Sequence, residues 1–201
     1  MPGCAILPAS RIWIPDRIEA LGRAAVHDSG YVTGSGTEAD FWQLMRYRGE
    51  MHGTDRELTA AILERFVVRQ WMLDYVRRVR AAGLIAAILS DQTDWLERLD
   101  ARDGFSGAFD RVFNSYRIGR SKRDPAVFDE VLGELAVAPS RALFIDDTAE
   151  HVERARARGL AGIVYRDRAR LATALRAWPG LPPCAPDGTG AAEAESERPG
   201  H

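Results

Sequence analysis

Short apolar runs alternate with amphipathic segments in the second half of the chain. Four runs read as strands: Leu84–Leu89, Arg111–Asn114, Ala142–Ile145 and Ala161–Tyr165. Helices are predicted between and after them, at 125–136, 149–158 and 168–177. An uninterrupted apolar run is typical of a parallel strand covered on both faces. The pattern therefore predicts an α/β fold with a doubly wound parallel sheet.

The first part of the chain has helical periodicity instead. A hydroxyl precedes a carboxylate by three residues at Thr37-Glu-Ala-Asp40 and at Thr54-Asp-Arg-Glu57, an arrangement that starts helices. A third helix is predicted from Trp71 to Gly83 and an N-terminal one over Ile18–Ala25, with Asp16 at its start. The apolar stripes of the helices that begin at Thr37 and Thr54 are Phe41, Trp42, Leu44 and Met45, then Leu58, Ile62, Phe66 and Val67.

These patterns divide the chain into three parts. Residues 1–82 form a mostly helical region, and 83–178 form the α/β core. Residues 179–201 are rich in Pro, Gly, Ala and acidic side chains, so this tail is predicted to be disordered. The chain has 201 residues, which fits one α/β domain with a small appendage.

Composition narrows the classes of partner. The formal net charge of −2 provides no field for nucleic acid or for an anionic membrane, so we expect a small-molecule partner and a monomer or homodimer. No apolar run approaches the ~20 residues of a membrane span, and no signal peptide is apparent. Cys4 and Cys184 lie near opposite ends and suggest no disulfide framework. A cytoplasmic location is predicted.

Polar residues follow three of the predicted strands or lie in the loop beyond them. They are Ser90-Asp91, Lys122 and Asp146-Asp147. Ligands gather beyond the carboxyl ends of parallel strands, so these side chains are expected to meet. A hydroxyl and a lysine suit a phosphoryl group, and paired carboxylates suit Mg²⁺. Each residue considered alone also has an ordinary explanation: Ser90 as a turn residue, Lys122 as a solvated side chain and Asp147 as a helix cap.

Three segments together resemble the second, third and fourth motifs of haloacid dehalogenase-like hydrolases. They are Ile88-Leu-Ser-Asp-Gln92, Gly119-Arg-Ser-Lys-Arg-Asp-Pro-Ala-Val-Phe128 and Leu143-Phe-Ile-Asp-Asp-Thr-Ala-Glu-His-Val152. The resemblance implies a Rossmann-like core, and 1–82 becomes a helical cap inserted after the first motif. It also implies a phosphatase that acts on a small phosphorylated metabolite, a phosphate monoester, with Mg²⁺ as its cofactor.

The resemblance also assigns roles to individual residues. Ser90, Asp91 and Lys122 would form the phosphate-binding group, with Ser90 and Lys122 catalytic. Asp147 would coordinate magnesium, with Asp146 as a direct ligand or in support. Asp91 stands where Asn is common in the family, and Arg123 stands where Pro usually follows the lysine.

The family's first motif, an apolar strand that ends in the aspartate nucleophile, has no counterpart in the sequence. Asp16 follows Arg-Ile-Trp-Ile-Pro, but the residue two positions later is Ile18, where the family's motif has a second aspartate or a glycine. Residues 1–10 are interpreted as a remnant of the core's start, in which Gly3 belongs to the loop after the nucleophile. The hypothesis is that the reading frame extends upstream by one strand, roughly 6–10 residues. Cys4–Leu7 or Ile12–Ile14 are candidates for a substitute strand.

Other functions remain open. A noncatalytic domain could use the retained residues to bind phosphate or protein without forming an aspartyl-phosphate. A response-regulator receiver has a different order of the same residue types, and Gly34-Ser-Gly36 lacks the strand and third glycine of a dinucleotide-binding loop. The histidines His27, His52 and His151 show no metal-ligand spacing. The sequence does not identify the substrate.

Overall fold

The computed structural model describes the backbone of residues 6–8, 16–49 and 51–185, and side chains within 18–49 and 51–185. The described helices are α1 Asp16–Asp28, α2 Glu38–Gly49, α3 Asp55–Leu63, α4 Gln70–Ala81, α5 Trp95–Asp103, α6 Ser115–Ile118, α7 Ala126–Leu135, α8 Ala149–Ala157 and α9 Arg168–Leu175. The described strands are β1 Ile6–Pro8, β2 Phe66–Val68, β3 Ala87–Ser90, β4 Arg111–Asn114, β5 Leu143–Asp146 and β6 Ala161–Val164. The fold is the α/β, Rossmann-type fold that the sequence predicts.

The core strands form two parallel pairs. β3 pairs with β4, with Ser90 opposite Asn114, and β5 pairs with β6, with Asp146 opposite Val164. Within the described ranges no strand is hydrogen-bonded between the two pairs.

Helices on both faces join the two strand pairs. On one face, a cluster packs Leu89 and Phe113 from the first pair with Phe144 from the second, beneath Val127 and Phe128 of α7. On the other face, α4 contributes to two clusters, one with the first strand pair and one with the second. The apolar stripe of α7 therefore packs where its periodicity predicts.

The N-terminal region 1–82, which we call the cap, contains in its described part a short sheet that the sequence did not predict. β1 and β2 pair antiparallel, with Ile6 opposite Val68. The prediction that Phe66 and Val67 continue the helical stripe is wrong, because α3 ends at Leu63. β-Branched and aromatic residues favour an extended chain once the helix has ended. Of the candidate substitute strands, Cys4–Leu7 is described only at Ile6 and Leu7, and Ile12–Ile14 lies outside the described residues.

Two further boundaries differ from prediction. Strand β3 starts at Ala87, and Leu84 and Ile85 are exposed, because the chain turns at Gly83 with a φ of 80°. Residues 179–185, assigned to a disordered tail, pack on the core: Cys184 is buried, and the Tyr75 hydroxyl donates to the Pro182 carbonyl at 3.1 Å. Residues 186–201 lie outside the described part of the chain.

Candidate active site

The C-terminal ends of the core strands bring the predicted site residues together. Ser90 ends β3 and Asp146 ends β5, and Lys122 reaches Asp146 from the loop between α6 and α7. Asp91 contacts the same loop. Four of the five predicted residues, all but Asp147, are buried although they are polar or charged. Burial of polar groups is costly unless they have partners, so these side chains are expected to interact with one another and not with solvent.

Lys122 is held at both ends of its length. Its ammonium donates to Oδ2 of Asp146 at 2.7 Å and lies 5.9 Å from the centre of the Phe144 ring. Its backbone amide donates to the carboxylate of Asp91, at 2.8 Å to Oδ1 and 3.1 Å to Oδ2. The side chain is 1% exposed. Lys122 therefore links the residue after β3 with the residue that ends β5.

The two adjacent carboxylates have opposite environments. Burial disfavours charge on Asp146, but His151 at 3.5 Å, the Lys122 ammonium and the Thr148 amide at 2.8 Å together hold the pKa of Asp146 well below its ordinary value. Burial, and then repulsion from Asp146, raise the pKa of Asp147. Asp146 is compensated by protein groups, whereas Asp147 lacks comparable compensation.

The pair fits a magnesium ion in part. Mg²⁺ binds through one or two carboxylates, keeps several waters and takes further oxygens from substrate phosphates. A bound cation would offset the burial and the repulsion from Asp146 that raise the pKa of Asp147, and Asp146 could support the ion. The described side chains include no group of three or more His, Cys, Asp or Glu residues placed to hold a metal. Water and phosphate oxygens would have to complete the coordination.

Ser90 keeps its hydroxyl available. The side chain is buried at the end of β3, and it makes no recorded hydrogen bond to another described residue. Hydrogen bonds hold the loop that follows: the side-chain amide of Asn114 donates to the Thr93 carbonyl at 2.9 Å, and the backbone amide of Gln92 donates to the Ser115 hydroxyl at 3.1 Å. From this strand end the Ser90 hydroxyl can donate to a bound oxyanion.

The cap is fastened to the same loop. The Ser115 hydroxyl also donates to the Val32 carbonyl of the cap at 2.6 Å. Arg98 of α5 bonds both Glu38 of α2, at 2.6 Å, and Asp94, at 2.9 Å. Tyr31 donates its hydroxyl to Asp94. A cluster of aromatic rings fills the junction, made of Tyr31, Phe41, Trp42, Trp95 and Tyr116.

The glycine-rich turn of the cap allows close backbone contacts that a side chain would block. A Cβ on Gly36 would lie 1.8 Å from the Ser29 carbonyl oxygen, and one on Gly34 would lie 2.4 Å from the Tyr116 carbonyl oxygen. A short 3-10 turn, Tyr31–Thr33, precedes these glycines, and α1 precedes the turn. Helical turns, and not the strand that a dinucleotide-binding loop follows, therefore precede Gly34 in the described chain.

His27 is a site neighbour that sequence reasoning missed. It lies in the last turn of α1 and is half-buried. Burial, and then the nearby positive charge of Arg123, lower the pKa of His27, while Asp91 partly offsets them. His27 therefore belongs to the electrostatic surroundings of the site. Nothing in its sequence neighbourhood could have indicated this, because the contact depends on how the cap sits on the core.

A compositional signal for Lys122 does exist. The chain has 27 basic side chains of Lys and Arg, and Lys122 is the single lysine among them. Lys and Arg are interchangeable on most exposed surfaces but not where a compact point charge is required. The one ammonium that this arginine-rich chain contains is thus the one buried against Asp146.

The nucleophile predicted by resemblance has no described counterpart. The described strands β1, β2 and β6 end in Pro8, Val68 and Val164, none of which carries a carboxylate. The carboxylates of Asp91 and Asp146 are both engaged in hydrogen bonds within the site. The described strands therefore present no free carboxylate at the end of a further core strand.

The comparisons place these features in a family. Residues 26–159 match the family model of the haloacid dehalogenase-like hydrolases. Enolase-phosphatase E1 of Frankia alni is 37% identical over 93 residues, which are 44% of this chain and 39% of that protein. Bifunctional epoxide hydrolase 2 of Rattus norvegicus is 30% identical over 112 residues, 52% of this chain and 19% of that protein. The chain thus spans well under half the length of these relatives.

Solved structures show the same fold. A haloacid dehalogenase family enzyme from Bacteroides thetaiotaomicron, an Asp-to-Ala mutant in complex with magnesium and inorganic phosphate, aligns with a TM-score of 0.67 and 19% identity, over 85% of this chain and 95% of that one. L-2-haloacid dehalogenase from Xanthobacter autotrophicus aligns with a TM-score of 0.58 and 20% identity, over 84% and 74% of the two chains.

None of the helices in the described ranges is both long enough and apolar enough to cross a membrane.

The family match covers two-thirds of the chain, including all five predicted site residues. The chain belongs to the haloacid dehalogenase-like hydrolases.

Proposed function

We propose that the protein is a magnesium-dependent phosphatase of small phosphate monoesters whose turnover requires a carboxylate nucleophile beyond the described residues. The observation that carries the proposal is the buried Lys122–Asp146 pair, set beside an available Ser90 hydroxyl and an under-compensated Asp147. The partial matches to an enolase-phosphatase and to a structure with magnesium and phosphate support it. The substrate is a small phosphorylated metabolite of the cytoplasm.

Each residue has a distinct task in this proposal. The Ser90 hydroxyl donates to a phosphoryl oxygen, and the Lys122 ammonium neutralises charge that develops on the phosphoryl group. Asp147 holds magnesium, with Asp146 fixing the lysine and supporting the metal. Bound magnesium supplies a Lewis acid that orients and neutralises the phosphate. A carboxylate nucleophile, absent from the described residues, has to attack phosphorus and break its bond to the ester oxygen, which leaves as the alcohol; water then hydrolyses the aspartyl-phosphate to the carboxylate and inorganic phosphate.

A noncatalytic role is the second candidate. It is favoured by the strands that the structure describes, since none of them joins the two parallel pairs and ends in an aspartate there. A domain of this kind would bind phosphate through Ser90 and Lys122 without cleaving an ester. The two candidates share the binding site and differ only in turnover.

Two measurements separate the candidates. Calorimetry with inorganic phosphate, with and without MgCl₂, tests the binding site, and we expect binding that depends on magnesium. Hydrolysis of p-nitrophenyl phosphate then tests turnover, for the chain itself and for a version extended by its upstream codons. Magnesium-dependent turnover by the extended version alone supports the proposed missing strand. Turnover by neither version, with phosphate bound, supports the noncatalytic role. Absence of phosphate binding contradicts both.

A further inference from the structure

Asp91 is the site residue whose geometry departs most from its predicted role. The sequence groups it with the phosphate ligands, yet both of its carboxylate oxygens accept the backbone amide of Lys122, at 2.8 and 3.1 Å. The described structure records no other hydrogen bond of this carboxylate. Its side chain is buried, so solvent does not compete for these oxygens.

Lys122 depends on this contact because secondary structure does not hold it. The residue lies in the loop between α6 and α7, where its amide donates to no backbone carbonyl. A lysine side chain is long and flexible, so the position of its ammonium depends on where the backbone is fixed. The Asp91 carboxylate fixes the backbone, and Asp146 fixes the ammonium at 2.7 Å.

The contact also sets the spacing of the two phosphate-binding groups. Asp91 directly follows Ser90 at the end of β3, so the hydrogen bond to Lys122 ties the loop of the lysine to the strand end that carries the hydroxyl. A carboxylate that faced the phosphate would repel it. A carboxylate that accepts a backbone amide instead contributes order to the site, and its charge strengthens that hydrogen bond.

We propose that Asp91 is a positioning residue, which places the Lys122 ammonium relative to the Ser90 hydroxyl through the lysine backbone and does not itself bind the phosphate. The inference rests on the proposed role of Ser90 and Lys122 in phosphate binding. It goes beyond that role in assigning a different task to the residue between the two motifs.

The single lysine provides a direct measurement. Labelling with ¹⁵N-lysine gives one backbone amide signal, that of Lys122, because the chain contains no other lysine. Its chemical shift and its rate of exchange with solvent report the hydrogen bond to Asp91. Calorimetry with inorganic phosphate and MgCl₂ reports the binding site separately. The two readouts are applied to Asp91→Ala, Asp91→Asn and a control.

The control is Asp124→Ala. Asp124 lies in the same loop, and its carboxylate also accepts a backbone amide, that of Ala126 at 2.9 Å. It is exposed and makes no recorded contact with Lys122 or Ser90. Asp124→Ala should therefore leave both the Lys122 signal and the affinity for phosphate unchanged.

Positioning predicts a specific pattern. Asp91→Ala should shift the Lys122 amide, speed its exchange by about tenfold or more and weaken phosphate binding by about tenfold, a factor in the range of one hydrogen bond to a charged group. Asp91→Asn keeps an acceptor oxygen but removes the charge that strengthens the hydrogen bond, so exchange and affinity should change clearly less than in Asp91→Ala.

Two results would overturn the inference. One is an Asp91→Ala protein whose Lys122 amide signal and exchange are unchanged. The other is an Asp91→Asn protein that keeps the amide signal but binds phosphate about tenfold or more tightly, which would show that the carboxylate charge acts on the ligand directly. If Asp91→Ala does not fold, Asp91→Asn alone still distinguishes the two roles. If the unmodified protein binds no phosphate, the proposed function fails, and the amide measurement still tests the contact.

Discussion

The ammonium of Lys122 and the carboxylate of Asp146 form a 2.7 Å ion pair in which the two side chains are 1% and 0% exposed. Pairs of this kind stabilise little relative to apolar residues of equal volume, but loss of one partner leaves a buried charge. The relationship therefore makes the two residues interdependent. The lysine is therefore needed for the stability of the fold even when no ligand is bound.

Removal of either partner alone should be strongly destabilising. Lys122→Met leaves Asp146 without its ammonium, so we expect the free energy of unfolding to fall by about 3–5 kcal/mol. Lys122→Met combined with Asp146→Asn should cost less than the sum of the two single changes. Urea denaturation of the four proteins of this double-mutant cycle measures the coupling.

An exposed pair of equal length provides the control for that cycle. Arg77 and Asp74 are also 2.7 Å apart, but their side chains are 55% and 58% exposed. Their coupling should be at most about 1 kcal/mol, because water and salt screen it. Equal coupling in the two cycles would contradict the claim that burial makes the Lys122–Asp146 pair interdependent.

The hydroxyl of Tyr31 should stabilise the junction of cap and core. Burial and the hydrogen bond to Asp94 raise the pKa of Tyr31 far above its ordinary value, so the phenol stays protonated and can donate. Tyr31→Phe should lower the free energy of unfolding by about 1–2 kcal/mol. Tyr47→Phe is the matched control, because Tyr47 is 86% exposed and should change nothing measurable. Equal effects of the two changes would count against the hydrogen bond.

The close approach at Gly36 should make that position intolerant of a side chain. A Cβ there would lie 1.8 Å from the Ser29 carbonyl oxygen, so Gly36→Ala requires the backbone to move. We expect a loss of about 1–3 kcal/mol, or more, in thermal or chemical unfolding.

The same substitution at Gly22 should have the opposite sign. Gly22 lies within α1, and nothing stands within 4 Å of its added Cβ. Gly22→Ala should therefore stabilise the protein by about 0.5–1 kcal/mol. A tolerated Gly36→Ala together with a stabilising Gly22→Ala would refute the tight packing of the turn.

The pH dependence of stability should carry a contribution from His27. Burial and Arg123 lower the pKa of His27 in the folded protein, so below about pH 6.5 the unfolded chain binds the proton more readily. Stability should therefore fall as the pH drops below that value towards the folded pKa. His27→Gln removes the titrating group and should flatten this part of the profile.

Denaturant unfolding at a series of pH values measures that change. His52→Gln is the control, because His52 is exposed and should leave the profile as it is in the unmodified protein. A profile that keeps its slope in His27→Gln would show that His27 does not couple to folding.

Much of the core was predictable because its signals are local. The apolar run at Arg111–Asn114 coincides with β4, and the Thr54–Glu57 capping box starts α3 as its spacing indicates. The strand ends then follow from the rule that parallel strands present their carboxyl ends together. That rule was enough to bring Ser90, Lys122 and Asp146 into one cluster.

The rest depends on contacts that sequence patterns do not encode. Phe66 and Val67 fit a helical stripe as well as a strand, and only their pairing with β1 decides between the two. The direction of the Asp91 carboxylate, towards an amide rather than a ligand, depends on the path of a distant loop. The contribution of His27 depends on how the cap docks. Each is a tertiary effect superimposed on ambiguous local preference.

Helix α4 packs against both strand pairs of the core. Leu73 packs against Ile88 of the first strand pair, whereas Tyr75 and Val79 pack with Ile145 and Ile163 of the second. Because α4 packs against both strand pairs, it cannot move away from one pair without disturbing its contacts with the other. We therefore expect β3 and β5 to open in the same cooperative unit, with amide exchange in both strands limited by the loss of this one helix.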